Sequence, residues 1–220
     1  MSKKWLHLPT EKKLPVSLIY FYLIGFFLFA IPFTRDFFIS ITALSLVLVF
    51  GMVFYCHRNW NRATILWFLF IIISSFFLEL TGIQTGKVFG IYQYESGLGI
   101  QWKGTPLIIG INWLFLTYAS HDMARQITTK PLLRIFYGAL LMLFYDMTME
   151  MAAPYMDMWY FPSGYPPFSN FLAWFLMALL YHTGFEIWKI PTGNFPARSL
   201  FVIQFLFFIL ISSYSLLFLR

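Results

Sequence analysis

The chain contains a succession of apolar segments, each long enough to cross a lipid bilayer. A transmembrane helix needs about 20 predominantly apolar residues. We predict seven spans, at residues 14–33, 37–56, 63–80, 106–122, 131–149, 169–188 and 199–219. The composition agrees, because only 11% of the residues are charged, whereas soluble proteins average about 25%. We therefore expect an all-α, polytopic membrane helix bundle that forms a single integral membrane domain, residues 1–220.

The distribution of basic residues predicts how the bundle is oriented. Eleven of the fifteen lysines and arginines lie on the side of the amino terminus, and the opposite side holds Arg35, Lys87, Lys103 and Arg220. The positive-inside rule then places the amino terminus in the cytoplasm. The net charge of +6 therefore indicates topology, and no nucleic-acid partner is expected. In this orientation the connections 79–105 and 147–168 both emerge on the non-cytoplasmic face.

The connection between the third and fourth spans differs in composition from the rest of the chain. Between residues 79 and 104 it contains six glycines, interleaved with Tyr92, Tyr94 and Trp102. Glycine permits backbone conformations that are closed to other residues, and it allows close approach to a ligand. We predict that this Gly-rich loop forms the wall and lid of a functional site.

Carboxylates without basic partners are expected to meet this loop. Asp146 and Glu150 are spaced i, i+4 and would share one helix face near the end of the fifth span, while Glu79 ends the third span in the same layer. No Lys or Arg lies between Arg134 and Lys189. Ionisable groups at membrane depth are costly and usually face a functional cavity. Desolvation and repulsion between them would favour a protonated carboxyl, which can act as a general acid. The alternative is that these groups cap helix ends in interfacial water.

Signatures of metal and nucleotide sites are missing from the sequence. The four histidines, His7, His57, His121 and His182, show none of the paired spacings that a membrane di-iron centre needs, and Cys56 is the single cysteine. There is no P-loop and no Gly-rich dinucleotide fingerprint. We therefore predict no metal and no cofactor.

Two ordered motifs resemble the CruF-type carotenoid 1,2-hydratases. The first runs Glu79-x-x-Gly82-x-x-Thr85-Gly86-x-x-Phe89-Gly90-x-Tyr92-x-Tyr94, followed by Gly104-x-Pro106 and Trp113. The second runs Asp146-x-x-x-Glu150, Asp157-x-Trp159 and Pro167-x-x-Asn170-x-x-x-Trp174. The resemblance covers about residues 63–190. The chain departs from the family at Glu150-Met151, where the family usually has an acidic residue followed by proline.

The resemblance implies a carotenoid biosynthesis enzyme of the bacterial inner membrane. Such hydratases add water, without a cofactor, to the terminal C1=C2 bond of an acyclic ψ end group, as in γ-carotene or lycopene. The product is a 1-hydroxy or 1′-hydroxy carotenoid, and the expected partners are the carotenoid in the bilayer, water and other enzymes of carotenoid biosynthesis. The chemistry needs a protonated carboxyl, a polar group that activates water and an aromatic wall around a tertiary cation.

These requirements assign roles to residues of both motifs. Asp146 and Glu150 are predicted as the acid–base pair, with Glu79 as a third catalytic carboxylate. The predicted substrate-binding residues are Thr85, Tyr92, Tyr94, Trp113, Asp157, Trp159, Asn170 and Trp174, with Asn170 on the water.

Functions outside this class stay open at this point. The main alternative is a non-enzymatic transporter or carotenoid-binding scaffold, although transporters often show internal repeats and none is evident here. A lipid-modifying transferase would need a diphosphate or acyl-donor site, and a retinal protein would need a lysine in the seventh span. The sequence shows no diphosphate or acyl-donor site, and the seventh span contains no lysine.

Overall fold

Seven α-helices form the body of the protein in the computed structural model, which describes residues 10–219. They are α1 Thr10–Ala30, α2 Pro32–Tyr55, α3 Arg62–Thr85, α4 Ile109–Ile127, α5 Pro131–Ala152, α6 Phe168–Ile187 and α7 Phe195–Phe218. The predicted all-α membrane bundle is confirmed, with a helix for each predicted span. Lys3, Lys4, His7 and Arg220, which entered the sequence interpretation, lie outside the described residues.

Five of the seven helices are long and apolar enough to cross a membrane: α1, α2, α3, α5 and α7. Helix α4 carries Asn112, His121 and Asp122, which lower its hydropathy. Every residue from Trp113 to Asp122 is buried, so other helices surround this segment. Non-apolar residues are tolerated at membrane depth where protein, rather than lipid, encloses them. Helix α4 is thus the central helix of the bundle.

Helix α3 is longer than the sequence predicted. The predicted span ended at residue 80, whereas the helix continues to Thr85 and ends at Gly86, which has a left-handed φ of 65° and donates its N–H to the Gly82 carbonyl. Glycine stops a helix in this way because it adopts the left-handed conformation without steric cost. Glu79 therefore lies inside the helix, and its side chain is directed by helical geometry.

Two loops meet at one end of the bundle, as their predicted placement on one face requires. The first contains β1 (Gln93–Tyr94), a short 3-10 turn (Ser96–Leu98), β2 (Gln101–Trp102) and β3 (Thr105–Pro106), and the second contains a 3-10 turn (Ala153–Met156) and β4 (Trp159–Tyr160). Strand β1 pairs antiparallel with β4, and β2 pairs with β3. We call this end of the bundle the loop end.

A glycine on α6 allows α3 to approach closely. A Cβ atom on Gly184 would overlap the indole ring of Trp67, which is buried between the two helices. Gly51 on α2, by contrast, has open space at the Cβ position. These two helical glycines provide a matched pair for testing the packing.

We predict that Gly184→Ala destabilises the bundle by about 1–3 kcal/mol, because overpacking forces the indole or the backbone to move. Gly51→Ala should be neutral or stabilising, since alanine favours a helix over glycine by about 0.5–1 kcal/mol. Thermal unfolding in detergent, followed by circular dichroism, measures both. Equal midpoints for the two variants would contradict the packing described here.

Candidate active site

Glu79 is buried on α3 and accepts hydrogen bonds from three neutral donors. The hydroxyls of Tyr92 and Tyr94 donate to its Oε2 over 2.5 and 2.9 Å, and the indole N–H of Trp113 donates to Oε1 over 2.9 Å. The donors come from the Gly-rich loop and from α4, so this carboxyl group joins three parts of the chain. An ionised carboxylate only accepts hydrogen bonds and is suited to all three donors.

The tyrosines that hold Glu79 keep their protons. Burial, followed by the negative charge of Glu79, raises the pKa of Tyr92 and of Tyr94 well above the ordinary tyrosine value. Both hydroxyls are therefore donors at any physiological pH. The third donor, Trp113, is fixed by its ring, which stacks on Trp174 with 3.9 Å between ring centroids.

Glu150 lies at the end of α5 and has its own donors. The indole N–H of Trp159 donates to Oε2 over 2.8 Å, and the side-chain amide of Asn170 donates to Oε1 over 3.1 Å. Trp159 belongs to β4 and Asn170 to the first turn of α6. The position of the Glu150 carboxyl group thus depends on the second loop and on the α5–α6 packing.

Asp146 lies one helical turn before Glu150 and is fully buried. Its Oδ2 is 3.5 Å from the amide nitrogen of Asn170, the same nitrogen that contacts Glu150. Its Oδ1 has no hydrogen-bond partner among the described residues. The i, i+4 pair predicted from the sequence therefore does converge, and a single amide lies between the two carboxyl groups.

Glu79 and Glu150 both line one small cavity, which has about 20 Å³ of free space, enough for about one water molecule. Its lining is Glu79, Phe89, Tyr92, Tyr94, Ile109, Met149, Glu150, Trp159, Phe161, Asn170 and Trp174. None of these residues is a lysine or an arginine, and six are aromatic. We call this space the carboxylate cavity. Two carboxyl groups that line one aromatic cavity can move protons and, with the rings, stabilise positive charge in it.

The structure brings most of the predicted site residues together and separates two from them. Glu79, Glu150, Tyr92, Tyr94, Trp159, Asn170 and Trp174 line the carboxylate cavity, while Trp113 and Asp146 lie directly behind the lining. Thr85 is exposed at the end of α3, where its hydroxyl donates to the Thr81 carbonyl. Asp157 is also exposed, with a left-handed φ of 49°, and its carbonyl accepts from Gly97. The predicted substrate contacts of Thr85 and Asp157 therefore have no support from their positions.

Sequence reasoning missed four apolar residues of the cavity. Phe89 and Phe161 pack around Tyr92, and Ile109 and Met149 complete the wall from α4 and α5. Phe89 lies inside the first quoted motif, between two glycines, and that position could have indicated it. The other three carry no signal that distinguishes them from ordinary core residues.

A second polar cluster lies at the opposite end of the bundle. His121 and His182, distant in sequence, approach to 3.2 Å between their Nδ1 atoms, and Glu186 contacts both His121 and Arg134. Asp122 pairs with Arg198 nearby. Among the residues that the structure describes, no group of three or more His, Cys, Asp or Glu side chains is placed to hold a metal ion. We interpret this cluster as interhelical hydrogen bonding.

These features define a class: a membrane-embedded helix bundle with an aromatic, carboxylate-lined cavity at one end. Residues 37–219 match the family described as carotenoid biosynthesis protein, and the chain therefore belongs to that family. No curated protein matches the chain, and no solved structure does so either.

The carboxylate cavity depends on close docking of the two loops, at Gly97. The Gly97 N–H donates to the Asp157 carbonyl over 2.6 Å, and a Cβ atom at this position would collide with the Met156 carbonyl. We predict that Gly97→Ala separates the loops and speeds amide hydrogen exchange across residues 93–97, measured by mass spectrometry.

Gly164→Asn is the control for this experiment. Gly164 lies in the second loop with a φ of 83° and open space at its Cβ position, and asparagine tolerates the left-handed conformation. Its exchange pattern in 93–97 should match the wild type. Unchanged protection of 93–97 in Gly97→Ala would show that the contact does not hold the loops together.

Proposed function

We propose that this protein hydrates the C1=C2 double bond of an acyclic ψ end group of a carotenoid, without a cofactor. The observation that carries the proposal is that two buried carboxyl groups, Glu79 and Glu150, line one aromatic cavity whose lining has no lysine or arginine. Membership of the carotenoid biosynthesis family supports the substrate class.

Protonation of the alkene is assigned to Glu150. A trisubstituted alkene takes the proton at C2, the less substituted carbon, so that the π electrons form the new C–H bond and a tertiary cation remains at C1. Glu150 is suited to this step because Asp146 lies beside it and neither has a cation among its contacts. Repulsion between like charges favours a proton on one member of such a pair.

Capture of the cation is assigned to water and Glu79. The water oxygen forms a bond to C1 and its proton passes to the Glu79 carboxylate, which the three neutral donors hold in place. Return of that proton to Glu150 through solvent closes the cycle, and the net change is addition of one water. Aromatic faces such as Trp159 and Trp174 each stabilise a nearby cation by about 0.5–2 kcal/mol.

This assignment differs from the sequence hypothesis in one respect. The sequence favoured Asp146 with Glu150 as the acid–base pair, whereas Glu79 and Glu150 are the two carboxyl groups that line the cavity. Asp146 then acts as a positioning residue, through Asn170 and through its charge.

We predict that Glu150→Gln and Glu79→Gln each lower hydratase activity by at least about 10²-fold, the usual contribution of an acid–base group. The measurement is the yield of hydrated carotenoid, detected by its gain of one water in mass, in cells that make γ-carotene or lycopene. Glu95→Gln is the matched control, because Glu95 is a carboxylate at the same end that does not line the cavity. Full activity in both Gln variants would exclude the mechanism.

Asp146→Asn should have a smaller effect that is confined to turnover. With purified protein in liposomes, kcat should fall while KM stays unchanged, because Asp146 does not touch the cavity. A general structural defect would instead reduce the yield of folded protein.

If wild-type protein only retains unchanged carotenoid through purification, the scaffold alternative is the correct one.

A further inference from the structure

A second cavity adjoins the carboxylate cavity deeper in the bundle. This middle cavity is narrow, with about 10 Å³ of free space, roughly what one water molecule needs. It lies between α4, α5 and α7, and it shares Ile109, Met149 and Trp159 with the carboxylate cavity. The two spaces are therefore neighbours, with Met149 in the wall of each. Met149 is unbranched and flexible, so a change of rotamer there can join them.

A third and larger cavity continues the series toward the lipid. This groove has about 90 Å³ of free space and is bounded by α1, α2 and α7. It shares Leu46, Met158, Gln204 and Phe208 with the middle cavity. A methionine, Met158, again stands at the junction. The three cavities thus form one row that runs from Glu150 to the first two helices.

The groove opens to the lipid beside α1. Phe21 and Ile24 form part of its lining and are also 41% and 60% exposed on the outer surface of the bundle. Along α2 the lining extends from Phe38 to Leu46, which corresponds to about 12 Å at 1.5 Å per residue. The walls are almost entirely apolar, so the groove suits a long hydrocarbon chain that arrives sideways from the bilayer.

Gln204 is the polar side chain shared by the groove and the middle cavity, whose linings also include Thr42, Ser45 and Asn112. Gln204 lines both the groove and the middle cavity, and it donates to the Tyr22 hydroxyl over 2.5 Å and accepts from the Tyr145 hydroxyl over 2.9 Å. Since both ends of the amide are satisfied, it presents no unpaired polar group to a hydrocarbon. The three side chains cross-link α1, α5 and α7 and keep the row of cavities open between these helices.

We infer that the polyene chain of the substrate lies in this row of cavities, with its reacting end group in the carboxylate cavity and its distal part in the groove beside α1. The inference rests on the proposed function and extends it, because it names the path of the substrate. The spaces are narrow, so the chain enters as the side chains of Met149 and Met158 move aside, and methionine is flexible enough for this movement. Specificity for long acyclic chains then arises from the middle cavity and the groove, rather than from the carboxylate cavity.

A pair of leucine substitutions on α2 tests the path. Leu46 lines both the groove and the middle cavity, whereas Leu44 is 60% exposed on the lipid side of the same helix. Leu46→Trp should block the passage and lower conversion of lycopene in liposomes by at least about tenfold, a typical result of overpacking. Leu44→Trp should retain wild-type conversion.

A short substrate shows whether the Leu46→Trp protein is still folded and active. Geranylacetone has the same terminal alkene on a much shorter chain, so it depends less on the groove. Leu46→Trp should lose less activity on this short substrate than on lycopene, and Leu46→Phe repeats the test with a smaller side chain. Equal conversion of lycopene by the wild type and both Leu46 variants would overturn the inference.

Binding provides a readout that is independent of hydration. In a Glu150→Gln background, carotenoid that co-purifies with the protein is measured by visible absorbance, and Leu46→Trp should lose it while Leu44→Trp keeps it. If the wild type hydrates neither lycopene nor geranylacetone, the proposed function fails. Loss of the co-purifying carotenoid in Leu46→Trp would still support the path in that case. Two outcomes would contradict the path. Leu46→Trp could retain the carotenoid, or the substitution could release a phospholipid acyl chain and no carotenoid.

Discussion

Three hydrogen bonds to Glu79 determine how the loop end of the bundle is built. Tyr92 and Tyr94 bring the Gly-rich loop onto α3, and Trp113 brings α4 to the same carboxyl group. Burying a carboxylate costs several kcal/mol unless other groups replace its hydration. A lysine or arginine would supply that compensation directly, but it would also place a positive charge inside the cavity. Neutral donors hold the carboxylate and leave its charge available to stabilise a cation.

The remainder of the bundle shields this arrangement from lipid. The surrounded position of α4 allows it to carry polar residues toward both ends, with Trp113 contacting Glu79 at one end and Asp122 contacting Arg198 at the other. Helices α1, α2 and α7 have apolar outer faces and contribute the groove on their inner side. The polar contacts at the two ends of α4 therefore fix the register of the helices. The apolar side chains between these ends leave room for cavities.

The sequence predicted much of the fold because the bilayer imposes a simple rule on length and composition. Each predicted span corresponds to a helix, and the errors fall at the ends, as at Thr85, where a left-handed glycine rather than a loss of hydrophobicity stops α3. Helical spacing also predicted correctly that Asp146 and Glu150 share a face. The proximity of Asp146 and Glu150 could therefore be predicted from their spacing in the sequence.

Other parts of the site depend on contacts that no local pattern records. The pairing of β1 with β4 involves two residues on each strand, and it decides which aromatic rings turn inward. Asp157 and Thr85 belong to the quoted motifs but lie outside the cavity. The approach of His121 to His182 joins two helices through tertiary packing, so the absence of a paired spacing in the sequence could not predict it.

Under the proposed chemistry the site must receive two reactants from two different solvents. The carotenoid comes from the lipid, and the row of cavities leads from the side of α1 to Glu150 past Met156 and Met158 of the second loop. We expect water to come from the loop end, where Tyr94 of β1 and Trp159 of β4 line the carboxylate cavity. A large supply of water would wet the cavity and weaken the electrostatic interactions on which protonation of an alkene depends. Tight loops over the carboxyl groups, together with an apolar path at the side, therefore favour the arrival of a long hydrocarbon while limiting water to the few molecules that the addition requires.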